Sequence, residues 1–351
     1  MKNTTRHNPL HVLLLHWKTA LAAVLCAAAF SQPGLAQVAA PSILQIDVAN
    51  NVLYQEDTSD VSKFATNPNV TADSHSAKNF NRAIGVADIV AVNGQPVTGT
   101  LIRSAMNVSL STATAPGQAI ADTVRTALAV FTFEILKSDG TPIGTIVISG
   151  LAAGAAPPGV PSSVTGNNFV ITGGTGAFLG VRGQMGVAAN PPGVASQRVA
   201  SMTEDPANRR LNGGGTQRWI AQLIPMSAPQ IATTPGGPAV THSSDSSLVT
   251  ASKPAAAGEI LSLFANGLGP VNPGVDPGQP FPSSTLAIVN SPVDVTINGK
   301  LAEVLSATGY RGAVDGYQVN FRVPPGTAKG PASIQVSAAW ISGPAVSVPV
   351  Q

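Results

Sequence analysis

Short runs that alternate apolar and polar residues make up most of the chain between residues 42 and 225. This two-residue period is typical of β-strands with one buried face. The pairs Asn93-Gly94 and Asp139-Gly140 separate neighbouring runs and predict hairpin turns, because Asn, Asp and Gly accept positive φ. The predicted strands are residues 43–52, 84–92, 97–110, 129–136, 142–151, 168–172, 178–187 and 216–224.

Eight such strands with few helical segments predict either a closed antiparallel barrel or a sandwich. We prefer the barrel, because closure leaves no edge strand open to aggregation. The barrel domain is predicted to span residues 42–225. The polar stretch 55–82 is longer than an ordinary connection, so we expect a lid or a disordered loop there.

A second β region follows a stretch rich in Pro, Ser, Thr and Ala. Residues 226–257 have the composition of a linker, and residues 258–351 contain several short β-type runs. The turns Asn298-Gly299 and Asp315-Gly316 separate some of these runs. The spacing predicts an immunoglobulin-like β-sandwich as the second domain. The predicted strands are residues 259–265, 293–297, 302–307, 317–323, 332–338 and 345–350.

The first 36 residues are predicted to be a signal peptide. Three basic residues precede the apolar run 20–30, and small residues before Gln37 suit cleavage near Ala36. We therefore expect a secreted or periplasmic protein. The run is too short for a membrane span, and no later run is apolar enough for one. Cys26 is the only cysteine and lies in this leader, so the mature chain would contain no disulfide.

Charge and histidine content exclude further classes of function. Without the leader, Lys plus Arg falls from 19 to 16 while all 17 acidic residues remain, so the net charge changes from +2 to −1. Nucleic acid is therefore not an expected partner. Only His75 and His242 lie outside the leader, and the sequence has no metal-binding, phosphate-binding or GxSxG motif. We expect neither a metal site nor a cofactor.

The most distinctive segment is NFVITGGTGAFLGVRGQMGV at residues 168–187. It resembles the Gly-Gly-(Ser/Thr)-Gly-x-Phe-x-Gly-x-x-Gly signature of the allene oxide cyclase and dirigent barrels. The resemblance implies an eight-stranded barrel whose lumen holds a hydrophobic reactant, and it implies a homo-oligomer. No motif for the catalytic residues of these families is present. We interpret the signature as a folding device, carried by Gly173, Gly174, Gly176, Phe178, Gly180 and Gly183.

Four segments of the C-terminal region carry a second resemblance: residues 258–264 (GEILSLF), 267–270 (GLGP), 295–299 (VTING) and 316–324 (GYQVNFRVP). Through them the region resembles a domain found at the C-terminus of exported acidobacterial, Solibacter-type proteins, which is similar to immunoglobulin-like IPT/TIG folds. The resemblance implies an accessory module without a catalytic site.

Charged residues in or beside the predicted barrel strands are the candidates for ligand binding. A charge that points into a barrel is costly unless it has a use, and a solvated outer position is the alternative reading. Glu134 is predicted to lie on the face opposite Phe131 and Phe133. The candidate lumen residues are Glu134, Arg103, Arg182, Arg218 and Trp219.

The loop at residues 204–210 (EDPANRR) contains two acidic residues and two arginines. Such a loop could clamp a ligand at the barrel mouth or could be a surface loop held by its own salt bridges.

These observations predict an exported, non-enzymatic binding protein. Its barrel would hold a hydrophobic small molecule or bind a cell-surface partner, with the second domain as an accessory module. The alternative is a cyclase or isomerase that resembles the allene oxide cyclases and acts in the barrel lumen. A third reading is a structural or adhesive envelope protein. A lumen filled by side chains would argue against the enzyme.

Overall fold

The computed structural model describes residues 42–55, 81–108, 126–152 and 154–351. The predicted signal peptide and most of the polar stretch 55–82 lie outside the described residues. In the described part, no helix is long and apolar enough to cross a membrane. The regular structure there consists of 23 strands and one short 3-10 helix at Pro206–Asn208.

Numbered in chain order, the strands are β1 (Ser42–Gln55), β2 (Asn81–Val92), β3 (Gln95–Pro96), β4 (Thr98–Val108), β5 (Thr126–Leu136), β6 (Pro142–Ala152), β7 (Gly166–Gly176), β8 (Arg182–Val187), β9 (Arg198–Ser201), β10 (Gly215–Ile224), β11 (Gln230–Ile231), β12 (Thr233–Thr234), β13 (Gly237–Pro238), β14 (Val240–His242), β15 (Ile260–Asn266), β16 (Val271–Asn272), β17 (Ile288–Val289), β18 (Val293–Ile297), β19 (Lys300–Gly309), β20 (Gly316–Arg322), β21 (Gly330–Ala338), β22 (Ile341–Ser342) and β23 (Val346–Val350).

Eight strands form a closed antiparallel barrel in the order β1-β2-β4-β5-β6-β7-β8-β10, and β10 pairs back onto β1. The prediction of a closed eight-stranded barrel is thus confirmed. The predicted turn after β2 is present, with φ of 49° at Asn93 and 77° at Gly94. β9 runs parallel to the end of β1 and extends the wall beyond β10.

The barrel interior is packed with aromatic and aliphatic side chains. The rings of Phe131, Phe133, Phe169 and Trp219 contact one another with centroids 4.9–5.8 Å apart. None of the four is more than 4% exposed. Edge-to-face pairs of this kind add about 0.5–1.5 kcal/mol each beyond the burial of area. The four rings therefore fill the middle of the barrel.

The glycine-rich segment forms the corner between β7 and β8. Gly176 has φ of 62°, and a Cβ there would lie 2.5 Å from the Ile143 carbonyl oxygen. A side chain at this position would meet both backbone strain and a clash. Phe178, two residues later, is 1% exposed and packs in the barrel core. Both residues therefore have structural roles at this corner.

The strands after β10 form a second, curled sheet with the central order β11-β15-β20-β19-β18-β21-β22, except for β12 and β13, which pair with each other in a separate two-stranded sheet. β14 and β23 join it by pairing with β15 and β21. β11 and β14 belong to the region predicted to be a linker, yet both pair with β15. Part of that region is therefore built into the sheet, since backbone pairing and not composition decides its structure.

The second sheet contributes to the core of the barrel. The turn between β21 and β22 consists of Ala339 and Trp340. Ala339 is fully buried and Ile341 is 2% exposed, and both belong to the same hydrophobic cluster as the barrel interior. Trp340 Nε1 donates a hydrogen bond to Gln95 Oε1 (2.8 Å) at the β2–β3 hairpin. The second sheet thus covers this end of the barrel.

The shared core predicts that the barrel and the second sheet unfold together. Ile341→Ala should lower the free energy of unfolding by about 2–5 kcal/mol, because it leaves a cavity at the end of the barrel. Ile288→Ala, at a side chain 53% exposed in the same sheet, should change it by about 0.5 kcal/mol or less. Urea unfolding followed by far-UV circular dichroism and by tryptophan fluorescence would measure both. Two separate transitions, with the barrel signal unaffected by Ile341→Ala, would contradict a shared core.

Candidate functional site

The structure divides the five predicted lumen residues between the two faces of the barrel. Arg103 and Trp219 lie on the inner face, Arg103 between Leu101 and Ala105 in the alternation of β4. The other three candidates do not point into the lumen, so their candidacy as lumen residues is corrected in favour of the solvated outer position given as the alternative. They are exposed on the outer face, because their neighbours in the strand alternation point inward. These three are Glu134, Arg182 and Arg218. Whether any of the five binds a ligand stays a prediction.

Arg103 packs over the aromatic core. Its guanidinium carbon lies 5.5 Å from the centroid of the Phe131 ring, within the range of a cation–π contact. The stem of its side chain passes over Gly85, where a Cβ would lie 2.9 Å from the Cβ of Arg103. In the described barrel strands, Arg103 is the only charged residue on the inner face. Its position is thus set by the glycine on one side and the ring on the other.

The charged residues of the outer face make local contacts. Arg218 forms a two-fold hydrogen-bonded pair with its cross-strand neighbour Asp47, at 2.6 and 2.8 Å. Arg182 donates to the Val181 carbonyl oxygen at 2.9 Å. These contacts fix side chains on the barrel wall, so the two arginines act as surface residues.

The loop at residues 204–210 is fastened to the outer wall of the barrel. Arg209 and Arg210 both donate to the carboxylate of Asp88 on β2, at 2.5–3.0 Å, and Asn50 donates to the same group at 2.8 Å. Glu204 accepts two hydrogen bonds from Arg198 at 2.8 Å. The loop is therefore held by salt bridges, but these join it to Asp88 and Arg198 outside the loop and not its own charged residues to one another, as the surface-loop reading expected.

The convergence on Asp88 changes the acidity of its carboxyl group. Burial alone would raise the pKa of Asp88, but hydrogen bonds from Arg210, Arg209 and Asn50 outweigh it and lower the pKa to about 2. The charged form is thus the one that the fold stabilises.

A cleft of about 310 Å³ lies where the barrel meets the second sheet. Its walls are mostly apolar and come from three parts of the chain. Pro96 and Val97 follow the β2–β3 turn, and Ile143 begins the inner face of β6. Pro292 and Trp340 are contributed by the second sheet. The cleft therefore exists only when the two parts of the fold are joined.

Polar residues also line this cleft. Lys137, Ser138 and Asp139 belong to the β5–β6 turn, and Gln95 belongs to β3. Hydrogen bonding from Thr141, at 2.9 Å, lowers the pKa of Asp139 and keeps its carboxylate charged. Lys137 is half-buried, with its ammonium group 3.5 Å from the Val289 carbonyl oxygen. An apolar ring could occupy the walls while an attached acid group reaches Lys137.

The Ser-Asp-Gly run in the sequence predicted the β5–β6 turn, but no sequence pattern predicted the cleft. Trp340 is separated from Lys137 by about two hundred positions along the chain. No local sequence pattern predicts a contact between residues so far apart in the chain. Only the fold brings the two residues together.

The described residues offer little for metal binding. His242 is buried with Nδ1 at 2.5 Å from Glu259 Oε1 and Nε2 at 3.2 Å from the Lys253 carbonyl oxygen. In this part of the chain, no three His, Cys, Asp or Glu side chains come close enough together to hold a metal ion.

No protein-family model and no curated protein matches the chain. The two family resemblances noted above therefore stay predictions.

Asp88 should make stability depend on pH in the acid range. Because the pKa of Asp88 is lower in the folded protein than in the unfolded chain, its contribution is complete above about pH 4 and is lost as the pH falls towards 2. Asp88→Asn should remove about 1–2 kcal/mol of stability at pH 6 and much less at pH 2. Denaturant unfolding at several pH values would measure the difference.

Glu303→Gln is the matched control, since Glu303 forms a single exposed ion pair with Arg322 (2.9 Å). Its free energy of unfolding at pH 6 should change by about 0.5 kcal/mol or less. A loss for Asp88→Asn that is equally small, or equally large at pH 2, would refute a special role of the carboxylate.

Proposed function

We propose that the protein is an exported, non-enzymatic binding protein that holds a small hydrophobic molecule in the cleft between the barrel and the second sheet. The observation that carries the proposal is the cleft itself, with mostly apolar walls and Lys137 among its lining residues. A volume of about 310 Å³ lies at the lower end of the range for small-molecule sites. The second sheet then has a direct part in binding, because it supplies Trp340 and Pro292.

Packing of the barrel interior favours the cleft over the lumen. The aromatic cluster of Phe131, Phe133, Phe169 and Trp219 occupies the middle of the barrel. A reaction in the lumen would need space for a substrate at this level. The observations therefore give the cyclase alternative no support, while a binding role outside the lumen requires no displacement of the core.

The proposal also includes the family of the barrel, the type of the second sheet and the export of the protein. The barrel would be of the allene oxide cyclase and dirigent type, and the curled sheet would be an immunoglobulin-like accessory module. The glycine-rich segment 168–187 and the strand spacing after residue 258 support these assignments. The basic, apolar and small-residue pattern of residues 1–36 supports export.

The lining suggests the class of ligand. Trp340, with Pro96 and Pro292 in the same walls, suits a flat ring of modest size. Lys137 among the lining residues suits an acid group on that ring, whereas Asp139 disfavours a second negative charge nearby. We therefore expect a compact aromatic or alicyclic monocarboxylate to bind in preference to its neutral analogue.

Calorimetric titration with 2-naphthoate and the neutral 2-naphthamide tests this proposal. The carboxylate should bind about threefold to fivefold more tightly, the effect of a partly exposed ion pair. Lys137→Met should abolish the preference while leaving the binding of the amide unchanged. Lys300→Met is the matched control, because Lys300 is exposed on β19 of the second sheet and should have no effect.

A second variant tests whether the wall contributed by the second sheet takes part in binding. Trp340→Phe keeps a ring in the wall but loses the hydrogen bond to Gln95. It should therefore weaken the binding of both probes by the same factor. If neither probe binds at millimolar concentration, or if Lys137→Met leaves the preference intact, the proposed site is wrong.

A further inference from the structure

One face of the second sheet carries amide, hydroxyl and aromatic side chains, and the proposed cleft does not use it. On β15 and β20 the buried residues Leu263 and Val319 point into the core of this sheet, so the residues that alternate with them lie on the opposite face. Two rows of cross-strand neighbours on that face contain no charged residue. The first row is Thr241, Ser262, Asn320 and Ser306, on β14, β15, β20 and β19, and the second is Phe264, Gln318 and Thr308, on β15, β20 and β19.

An aromatic pair stands at the end of the second row. Tyr310 directly follows β19, and its ring meets the ring of Phe264 edge to face, with the centroids 5.3 Å apart. Phe264 is half-buried, whereas Tyr310 is 48% exposed. The Tyr310 ring is therefore supported by the sheet and still offers apolar surface to a ligand. We call Tyr310 and the two rows the polar platform.

Hydrogen bonds hold the amide groups of the platform in one arrangement. Asn320 Oδ1 accepts from Ser262 Oγ (2.7 Å) and from Gln318 Nε2 (2.9 Å), and Asn320 Nδ2 donates to Ser306 Oγ (3.1 Å). Within the described part of the chain, these bonds leave one amide hydrogen of Asn320 and the side-chain carbonyl oxygen of Gln318 available. A ligand would meet a donor and an acceptor whose positions are already set, which lowers the entropy cost of binding.

Charge is confined to the border of the platform. In the next row, Arg322 donates to Glu303 at 2.9 Å and also to the Gly258 carbonyl oxygen at 3.3 Å. A solvated sheet face ordinarily carries Lys, Glu and Arg, the residues that are most often exposed. Neutral amides and hydroxyls in their place favour a neutral ligand with many hydrogen-bonding groups, because no ion in the two rows would balance a charged one.

We propose that the polar platform binds a neutral oligosaccharide. The faces of a pyranose ring carry C–H groups that pack on an aromatic ring, and its hydroxyls both donate and accept, as amide and hydroxyl side chains do. Tyr310 would contact the C–H face of one sugar, while Gln318 and Asn320 would hydrogen-bond the hydroxyls of its neighbours. Three interstrand spacings make the first row about 14 Å long, which suits a short run of linked sugars.

Native affinity electrophoresis of the full chain tests the proposal, with hydroxyethylcellulose, soluble starch, galactomannan or xylan in the gel. At least one of these neutral polysaccharides should retard the protein. Tyr310→Ala should weaken the affinity about tenfold, because the apolar stacking surface is lost. Gln318→Leu keeps the approximate size of the side chain but removes its amide, so it should weaken the affinity about threefold to tenfold.

Control variants separate the platform from the rest of the surface. Arg311→Ala changes the exposed neighbour of Tyr310, and Tyr310→Phe keeps the ring, so both should retain the affinity within about twofold. Lys137→Met, in the proposed cleft, should also leave the retardation unchanged, which makes this test independent of the cleft. Thermal melting curves would show that each variant is folded.

Two results would overturn the proposal outright. One is retardation by none of the neutral polysaccharides, and the other is retardation that Tyr310→Ala or Gln318→Leu leaves unchanged in a folded protein. Retardation by anionic polygalacturonate alone would overturn the neutral class of ligand.

Discussion

The packing of four aromatic rings inside the barrel is the constraint on which the rest of the structure depends. Trp219 on β10 contacts Phe131 and Phe133, which lie across the barrel on β5, and Phe169 on β7. With no cysteine outside the predicted leader, this core and its aliphatic surroundings supply the stability of the barrel. The same packing fills the middle of the lumen. A binding role is therefore better placed at the edge of the barrel than within it.

The second sheet completes this core at one end. Ala339 and Trp340 hold φ values of 47° and 63°, a left-handed backbone that costs non-glycine residues about 1–2 kcal/mol each. Burial of Ala339 and Ile341 against the barrel offsets that cost. The arrangement also places the indole of Trp340 beside Gln95 and in the wall of the cleft. One contact thus joins the two parts of the fold and creates the cleft.

The inner and outer faces of the same barrel strands carry different kinds of side chain. On β4, Leu101, Arg103 and Ala105 turn inward, while Ile102 and Met106 are half-exposed outside. In an ordinary barrel the outer positions are polar. The row of outer positions that contains Asp88 and Glu134 follows this rule. The neighbouring rows, which contain Ile102 and Met106, depart from it. A surface that depends on cross-strand rows can be recognised only after the register is known.

The sequence by itself determined the eight barrel strands and the longer strands of the second sheet, with the turns between several of them. Alternation predicted the barrel strands to within a few residues, and residues 293–297 match β18 at both ends, because side-chain period and turn chemistry are local properties. It did not determine which face of a strand is the interior, so Glu134, Arg182 and Arg218 were only candidates for the lumen, and they lie outside. Sheet closure and the docking of the second sheet decided that, and they also brought Lys137 to Trp340. These are contacts between distant segments, which no local pattern encodes.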